Sequence, residues 1–142
     1  MIKRLALIHG PNLNLLGQRD SSMYGTLTLS ELEKEVTLYA AEKGIEMTCV
    51  QSNVEGELID ALHGAQDNCN GVIFNPGGYS HTSVALRDAV EAISISTIEV
   101  HLSNIHAREG FRRTSLTASV AKACISGLGV QAYFAAIDEF NR

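Results

Sequence analysis

Short apolar runs alternate with segments of helical periodicity along most of this chain. The runs begin near Leu5, Ile45, Gly71 and Ile95, and after each of the first three the apolar side chains recur every three or four positions. Short strands that alternate with helices of about ten to fifteen residues indicate a parallel sheet with helices on both faces. This pattern predicts an α/β protein.

The predicted strands cover residues 5–8, 45–50, 71–74 and 95–101. The composition of residues 117–126 also fits a helix, but the Gly-Leu-Gly break and the periodic segment after it favour a fifth strand there. Predicted helices run from Thr28 or Ser30 to Lys43, over 55–65, from Thr82 or Ser83, and at the end of the chain. Five strands in the order 2-1-3-4-5 is the natural topology, which is that of a flavodoxin-like three-layer fold.

Helical spacing also predicts which side chains face the core. The first helix should bury its apolar face and turn most of its charged residues, Glu33 among them, toward solvent. The predicted core positions of the helices are Leu29, Leu32, Val36, Tyr39, Leu58, Ile59, Leu62, Val84, Leu86, Ala89, Val90 and Ile93.

Length and charge restrict the class of protein. A chain of 142 residues that is 45% hydrophobic and 19% charged is expected to form one globular domain, residues 1–142. The net charge of −5, with no basic cluster longer than Arg112 and Arg113, argues against a nucleic-acid surface. A small anionic ligand remains compatible with this composition.

The N-terminal apolar run is too short for a signal peptide or a membrane span, which predicts a cytoplasmic protein. Cys49, Cys69 and Cys124 show no metal-ligand spacing. They are expected to be reduced and mostly buried small side chains, not a metal site or a disulfide framework.

Three loops rich in polar residues follow strands one, three and four. The first, residues 8–25, is longer than most connections between a strand and a helix and carries Arg19 and Tyr24. In doubly wound sheets ligands bind outside the carboxyl ends of the strands, near the switch point between strands one and three. We therefore expect the three loops to form one pocket.

Several residues of these loops suit acid and base chemistry. Glu99 and His101 should point to the same face of their strand, where a carboxylate favours a protonated imidazole. Arg19 would stabilise the phenolate of Tyr24, which otherwise is a poor base. Each residue also has a plain interpretation as a satisfied polar group, and asparagines near Gly and Pro are usually turn residues. The candidates for ligand binding are Asn12, Asn14, Asn75, His81 and Arg112.

Three motifs of the sequence resemble those of the type II 3-dehydroquinate dehydratases. They are GPNLNLLGQR followed by YG, NPGGYSHTSVALRDA, and EVHLSNIHAREGFR, and the match runs in register over nearly the whole chain. The resemblance implies a flavodoxin-like fold, a dodecamer built from trimers, and loss of water from 3-dehydroquinate to give 3-dehydroshikimate. It implies no metal, no cofactor and no Schiff base.

The resemblance also implies residue roles. Tyr24 is expected to be the base, Arg19 its activator, His101 the acid, Glu99 the residue that orients His101, and Asn12 the residue that holds a water against the enolate. Substrate binding falls to Asn75, His81, Leu102, Ser103 and Arg112, with Asp88 reaching the site of a neighbouring subunit and Arg108 giving charge support. Residues 19–24 are expected to form a flap that closes on substrate.

Two other functions fit the same topology. A flavodoxin-like module that binds a small anion or a nucleotide is disfavoured by Pro11 and two asparagines where a phosphate cradle needs glycine and hydroxyl residues. A receiver-type signalling domain would need acidic residues at the ends of strands one and three, where this chain has His9 and Asn75.

Overall fold

Five parallel strands form a sheet at the centre of the computed structural model, which describes residues 3–18 and 26–142. The strands are β1 (Arg4–His9), β2 (Glu46–Gln51), β3 (Gly71–Asn75), β4 (Ser96–His101) and β5 (Ala123–Ser126). The helices are α1 (Leu29–Ala41), α2 (Glu55–Asn68), α3 (Val84–Ala92) and α4 (Gln131–Phe140). The strand order is β2-β1-β3-β4-β5, which confirms the predicted flavodoxin-like arrangement.

The two faces of the sheet have separate cores because successive strand residues point in opposite directions. On one face Leu5 and Leu7 of β1 pack in a cluster with residues of α1 and α4. On the other face Ala6 and Ile8 pack with residues of α2 and α3. A strand covered on both sides has no polar face, which explains the uninterrupted apolar run that begins at Leu5.

Helix α1 begins at a capping box. The side chain of Thr28 accepts a hydrogen bond from the backbone N–H of Glu31, and the Glu31 carboxylate accepts one from the backbone N–H of Thr28. Of the two predicted starting residues, Thr28 is therefore the N-cap and Ser30 lies inside the helix. Helix α3 is capped by Ser83, whose side chain accepts from the N–H of Leu86 at 2.9 Å.

Two of the predictions for the helices are wrong. Val84 is 59% exposed, because it lies two positions before the buried Leu86 and so projects from the opposite side of α3. Glu33 faces inward, since it is four positions after Leu29 on the buried stripe of α1, and its carboxylate contacts the ring of His9 at 3.1 Å.

The prediction for the cysteines is also wrong in part. All three are free, but Cys49 and Cys124 are exposed and Cys69 is partly buried. Cys49 and Cys124 belong to β2 and β5, the two edge strands, which the helices cover least. Within residues 3–18 and 26–142, none of the helices is both long and apolar enough to cross a membrane.

The loops after β1 and β3 touch through their backbones at the carboxyl edge of the sheet. The N–H of Gly10 donates to the carbonyl oxygen of Asn75 at 2.7 Å. A Cβ atom at Gly10 would lie 2.3 Å from the carbonyl oxygen of Pro76, so this approach requires glycine. The contact joins the two loops that flank the switch point of the sheet.

Candidate active site

A cavity lies at the carboxyl edge of the sheet where the three polar loops meet. Its volume is about 630 Å³ including the open solvent at its mouth. The prediction that these loops form one pocket is confirmed, because all three contribute to the wall. The lining residues are Pro11, Asn12, Leu13, Asn75, Gly77, Gly78, His81, His101, Leu102, Ser103, Ile105, Arg108 and Arg112.

The imidazole of His101 lines this cavity and is paired with a buried carboxylate that does not itself line it. Glu99 and His101 are 1% and 4% exposed, and the Nε2 atom of His101 lies 2.7 Å from Oε2 of Glu99. The predicted placement on one face of β4 is confirmed. A carboxylate accepts hydrogen bonds, so Nε2 of His101 carries the hydrogen, and Nδ1 is the ring nitrogen left for exchange of a proton.

Two hydroxyl groups that the sequence did not predict hold Glu99 in place. Ser115 donates to Oε2 of Glu99 at 2.6 Å, and the hydroxyl of Thr117 donates to Oε1. Together with the imidazole of His101, these two hydroxyl groups fix the orientation of the buried carboxylate. Ser115 and Thr117 lie in an irregular stretch before β5, and no spacing in the sequence pairs them with Glu99.

His81 also lines the cavity, in a fixed tautomer. Its Nδ1 atom is 2.8 Å from the carbonyl oxygen of Thr114, and since a carbonyl only accepts, Nδ1 carries the hydrogen. The Nε2 atom of the neutral ring can then accept a hydrogen bond from a ligand. The rings of His81 and His101 are 6.4 Å apart and inclined by 22°.

Asn75, at the end of β3, forms part of the floor of the cavity and is buried. Its Nδ2 atom donates to the hydroxyl of Tyr133 at 3.0 Å, and its Oδ1 atom accepts from the N–H of Gly77 at 3.1 Å. Asn12 lies on the rim with a positive φ of 69°, and its N–H donates to Oδ1 of Asn53 at 2.9 Å. Tyr133 and Asn53 were not predicted from the sequence.

The loop after β4 brings two guanidinium groups to the cavity. The Nε atom of Arg112 lies 2.8 Å from the Glu109 carboxylate, and Nη1 of Arg108 donates to the Ser103 hydroxyl at 3.4 Å. The backbone N–H of Glu109 and the two arginines hold the pKa of the Glu109 carboxyl below its usual value. Two cations near one carboxylate leave this side of the cavity suited to an anion.

Five of the predicted site residues are not part of the described cavity wall, and one of them, Glu99, adjoins it as the partner of His101. Arg19 and Tyr24, with the predicted flap over residues 19–24, lie outside the described residues. Asp88 is on α3 with its carboxylate 64% exposed, and it accepts a hydrogen bond from Arg87 at 3.0 Å. Asn14 lies in the short helical turn Leu13–Leu15 and is exposed.

One cluster among the described residues has the donor types of a metal site. Glu99, His101 and Cys124 place one ligand atom each within 4.8 Å of one another. Two ligands of a tetrahedral zinc ion, each about 2.0–2.2 Å from the metal, would lie roughly 3.3 Å apart. The 2.7 Å between His101 and Glu99 is instead the length of a direct hydrogen bond, so this arrangement serves to orient the imidazole.

Comparison with known proteins gives the family. The model of the family described as Dehydroquinase class II matches residues 3–141. The chain belongs to this family. A 3-dehydroquinate dehydratase from Pelotomaculum thermopropionicum is 53% identical over 94% of this chain and 93% of its own length. The Catabolic 3-dehydroquinase 2 of Neosartorya fischeri is 49% identical over 94% of this chain and 89% of its own.

The fold of this dehydroquinase family member is also that of solved relatives. The crystal structure of a type II dehydroquinase from Butyrivibrio crossotus has a TM-score of 0.97 to this chain at 42% identity, covering 99% of both chains. The resemblance noted in the sequence motifs is therefore confirmed at the level of family and fold.

Proposed function

We propose that this protein is a 3-dehydroquinate dehydratase that forms 3-dehydroshikimate and water in the shikimate pathway of aromatic amino acid biosynthesis. Family membership supports the reaction. The observation that carries it on this chain is the buried Glu99–His101 pair, which opens on a cavity lined with hydrogen-bond donors and two arginines. Such a site suits a polyhydroxylated carboxylate whose hydroxyl group leaves with a proton.

The proposed mechanism is an elimination in two steps. The Tyr24 phenolate, stabilised by Arg19, removes a proton from the carbon next to the ketone, and the resulting enolate is stabilised by a water held near Asn12. The C–O bond then breaks, and the hydroxyl group leaves as water with the proton of His101, which Glu99 orients. Overall, one molecule of 3-dehydroquinate gives one molecule of 3-dehydroshikimate and one molecule of water. No external oxidant or reductant takes part.

The remaining residues bind substrate in this proposal. Asn75 and His81 contact its hydroxyl groups, while Arg112 and the backbone at Leu102 and Ser103 bind its carboxylate. Arg108 supports the charge of this region. The proposed reaction passes through no Schiff base.

The proposal extends to the assembly and location of the protein. Residues 1–142 act as one catalytic domain in the cytoplasm, and the enzyme is a dodecamer built from trimers. In this assembly Asp88, whose exposed carboxylate is not part of its own cavity wall, reaches the site of a neighbouring subunit.

The reaction is tested by adding 3-dehydroquinate to the purified protein and following the ultraviolet absorbance of the conjugated enone product. We expect the absorbance to rise at neutral pH, and borohydride with substrate to leave the enzyme active. Folded protein that gives no product would contradict the proposed function, and an adduct trapped by borohydride would indicate lysine chemistry instead. The Tyr24→Phe variant is expected to bind substrate without converting it, since it lacks the proposed base.

A further inference from the structure

The hydroxyl of Tyr133 contacts Asn75 of the cavity wall, and Tyr133 is outside the set of residues assigned to the reaction. We propose that Tyr133 is a positioning residue that fixes the carboxamide of Asn75 so that its free N–H points at an oxygen of the ligand. The inference rests on the proposed function for the identity of that ligand, a polyhydroxylated carboxylate. The positioning role itself rests on the geometry of Tyr133 and Asn75.

Tyr133 is placed to act on Asn75 and not on the ligand. It is a fully buried residue of α4, below the end of β3, and its hydroxyl accepts a hydrogen bond from Nδ2 of Asn75 at 3.0 Å. It does not belong to the cavity wall, whereas Asn75 does. Burial raises the pKa of the Tyr133 phenol to about 12, so the group stays a neutral hydrogen-bond partner at working pH.

The oxygen and the nitrogen of the Asn75 carboxamide have different partners, which fixes the orientation of the group. Its oxygen accepts from the N–H of Gly77 at 3.1 Å, which requires an acceptor at that end. The nitrogen is therefore directed at Tyr133 and uses one of its two hydrogens there. The second hydrogen remains for the cavity, which makes Asn75 a donor to a hydroxyl or carboxylate oxygen.

Among residues 3–18 and 26–142, no strand side chain is seen to hydrogen-bond the Asn75 carboxamide, whose partners are the Tyr133 hydroxyl and the N–H of Gly77. His9 is paired with Asn75 in the register of β1 and β3, but its Nε2 atom contacts Glu33 at 3.1 Å. The rings of His9 and Tyr133 are 6.4 Å apart. Loss of the Tyr133 hydroxyl would leave Nδ2 of Asn75 buried with one partner fewer, and the carboxamide would turn to find another.

The Tyr133→Phe variant removes the hydroxyl and keeps the ring. We expect KM for 3-dehydroquinate to rise about two- to tenfold with kcat changed much less, the effect of one weakened neutral hydrogen bond. Tyr39→Phe is the matched control, because the Tyr39 hydroxyl bonds to Asp138 between α1 and α4, away from the cavity. Its KM should equal that of the unmodified enzyme.

A double-mutant cycle separates positioning from general support of the fold. If Tyr133 acts through Asn75, Tyr133→Phe should have no further effect on KM in the Asn75→Ala background. Effects that multiply would overturn the inference.

A crystal structure of the Tyr133→Phe variant tests the same inference and does not depend on an activity assay. We expect the Asn75 carboxamide to be displaced, and an unmoved carboxamide would overturn the inference. If the unmodified protein did not convert 3-dehydroquinate, the proposed function would be overturned. A displaced Asn75 carboxamide in the variant would support the positioning role even in that case.

Discussion

At the scale of single residues, the Glu99 carboxylate affects more than the imidazole that it orients. Cys124 is its register partner on β5, and the Sγ atom lies 3.9 Å from Oε2 of Glu99. Desolvation raises the pKa of the Cys124 thiol to about 11, and the negative charge of Glu99 contributes. The thiolate is the reactive form of cysteine, so Cys124 should react slowly near neutral pH despite its exposure.

The Glu99→Gln variant should make Cys124 react faster with iodoacetamide at about pH 8. Removal of the negative charge favours the thiolate and lowers the thiol pKa, although desolvation remains. Cys49 is the internal control, since its pKa is also raised to about 11, by desolvation and then by Glu33. Mass spectrometry of the alkylated peptides gives both rates, and an unchanged ratio of the Cys124 rate to the Cys49 rate would contradict the role of Glu99.

The residue contacts that the sequence predicted are local ones. Glu99 and His101 lie two positions apart on a strand, so the side-chain period alone places them together. The donors to Glu99 come from positions 16 and 18 residues further along, and Tyr133 is 58 residues from Asn75. Such pairs depend on the packing of irregular segments and helices, which one sequence does not reveal.

At the scale of elements, the five strands, the four helices and the sheet order follow from hydrophobic periodicity and from the glycines between the elements. The errors occur where periodicity carries little information, at an element's first residue such as Val84 and at the border of a buried face such as Glu33. The edge strands are a related case. Cys49 and Cys124 belong to apolar runs, yet sheet edges leave them exposed.

The close approach of the first two loops is tested by Gly10→Ala. The new Cβ would lie 2.3 Å from the Pro76 carbonyl oxygen, so the loops must separate, and we expect a loss of about 1–3 kcal/mol in the free energy of unfolding. Gly64→Ala in α2 is the control because it meets open space, and it should gain about 0.5–1 kcal/mol.

Urea denaturation measures the free energy of unfolding of both glycine variants. A Gly10→Ala protein as stable as the unmodified chain would show that the two loops are not in contact. Since Gly64→Ala adds the same methyl group where there is open space, a loss of stability seen only in Gly10→Ala reports the contact with the Pro76 carbonyl oxygen.

At the scale of the whole molecule, the described residues of the cavity lie at the carboxyl edge of the sheet, and Asp88 is not part of the cavity wall. The proposed dodecamer has a mass of about 184 kDa, twelve times the 15.3 kDa of one chain, which light scattering measures directly. A monomer that turns over substrate at the same rate at all concentrations would contradict the proposed role of Asp88.

Hybrid assemblies test the same point through activity. Asp88→Ala and His101→Ala proteins should each be impaired, and unfolding and refolding them together should restore part of the activity. Sites that combine His101 of one subunit with Asp88 of its neighbour are then complete. No recovery in an assembled hybrid would mean that Asp88 does not serve a neighbouring site.

The proposed site is tested most directly by comparing alanine variants of two histidines from adjoining segments in the 3-dehydroquinate assay. His101 is buried against Glu99 on the cavity wall, whereas His106 is exposed in the turn Ile105–Ala107. We predict that His101→Ala lowers kcat by at least about a hundredfold through loss of the general acid, and that His106→Ala retains the activity of the unmodified enzyme. Equal activity of the two variants would contradict the assignment of this cavity as the site of dehydration.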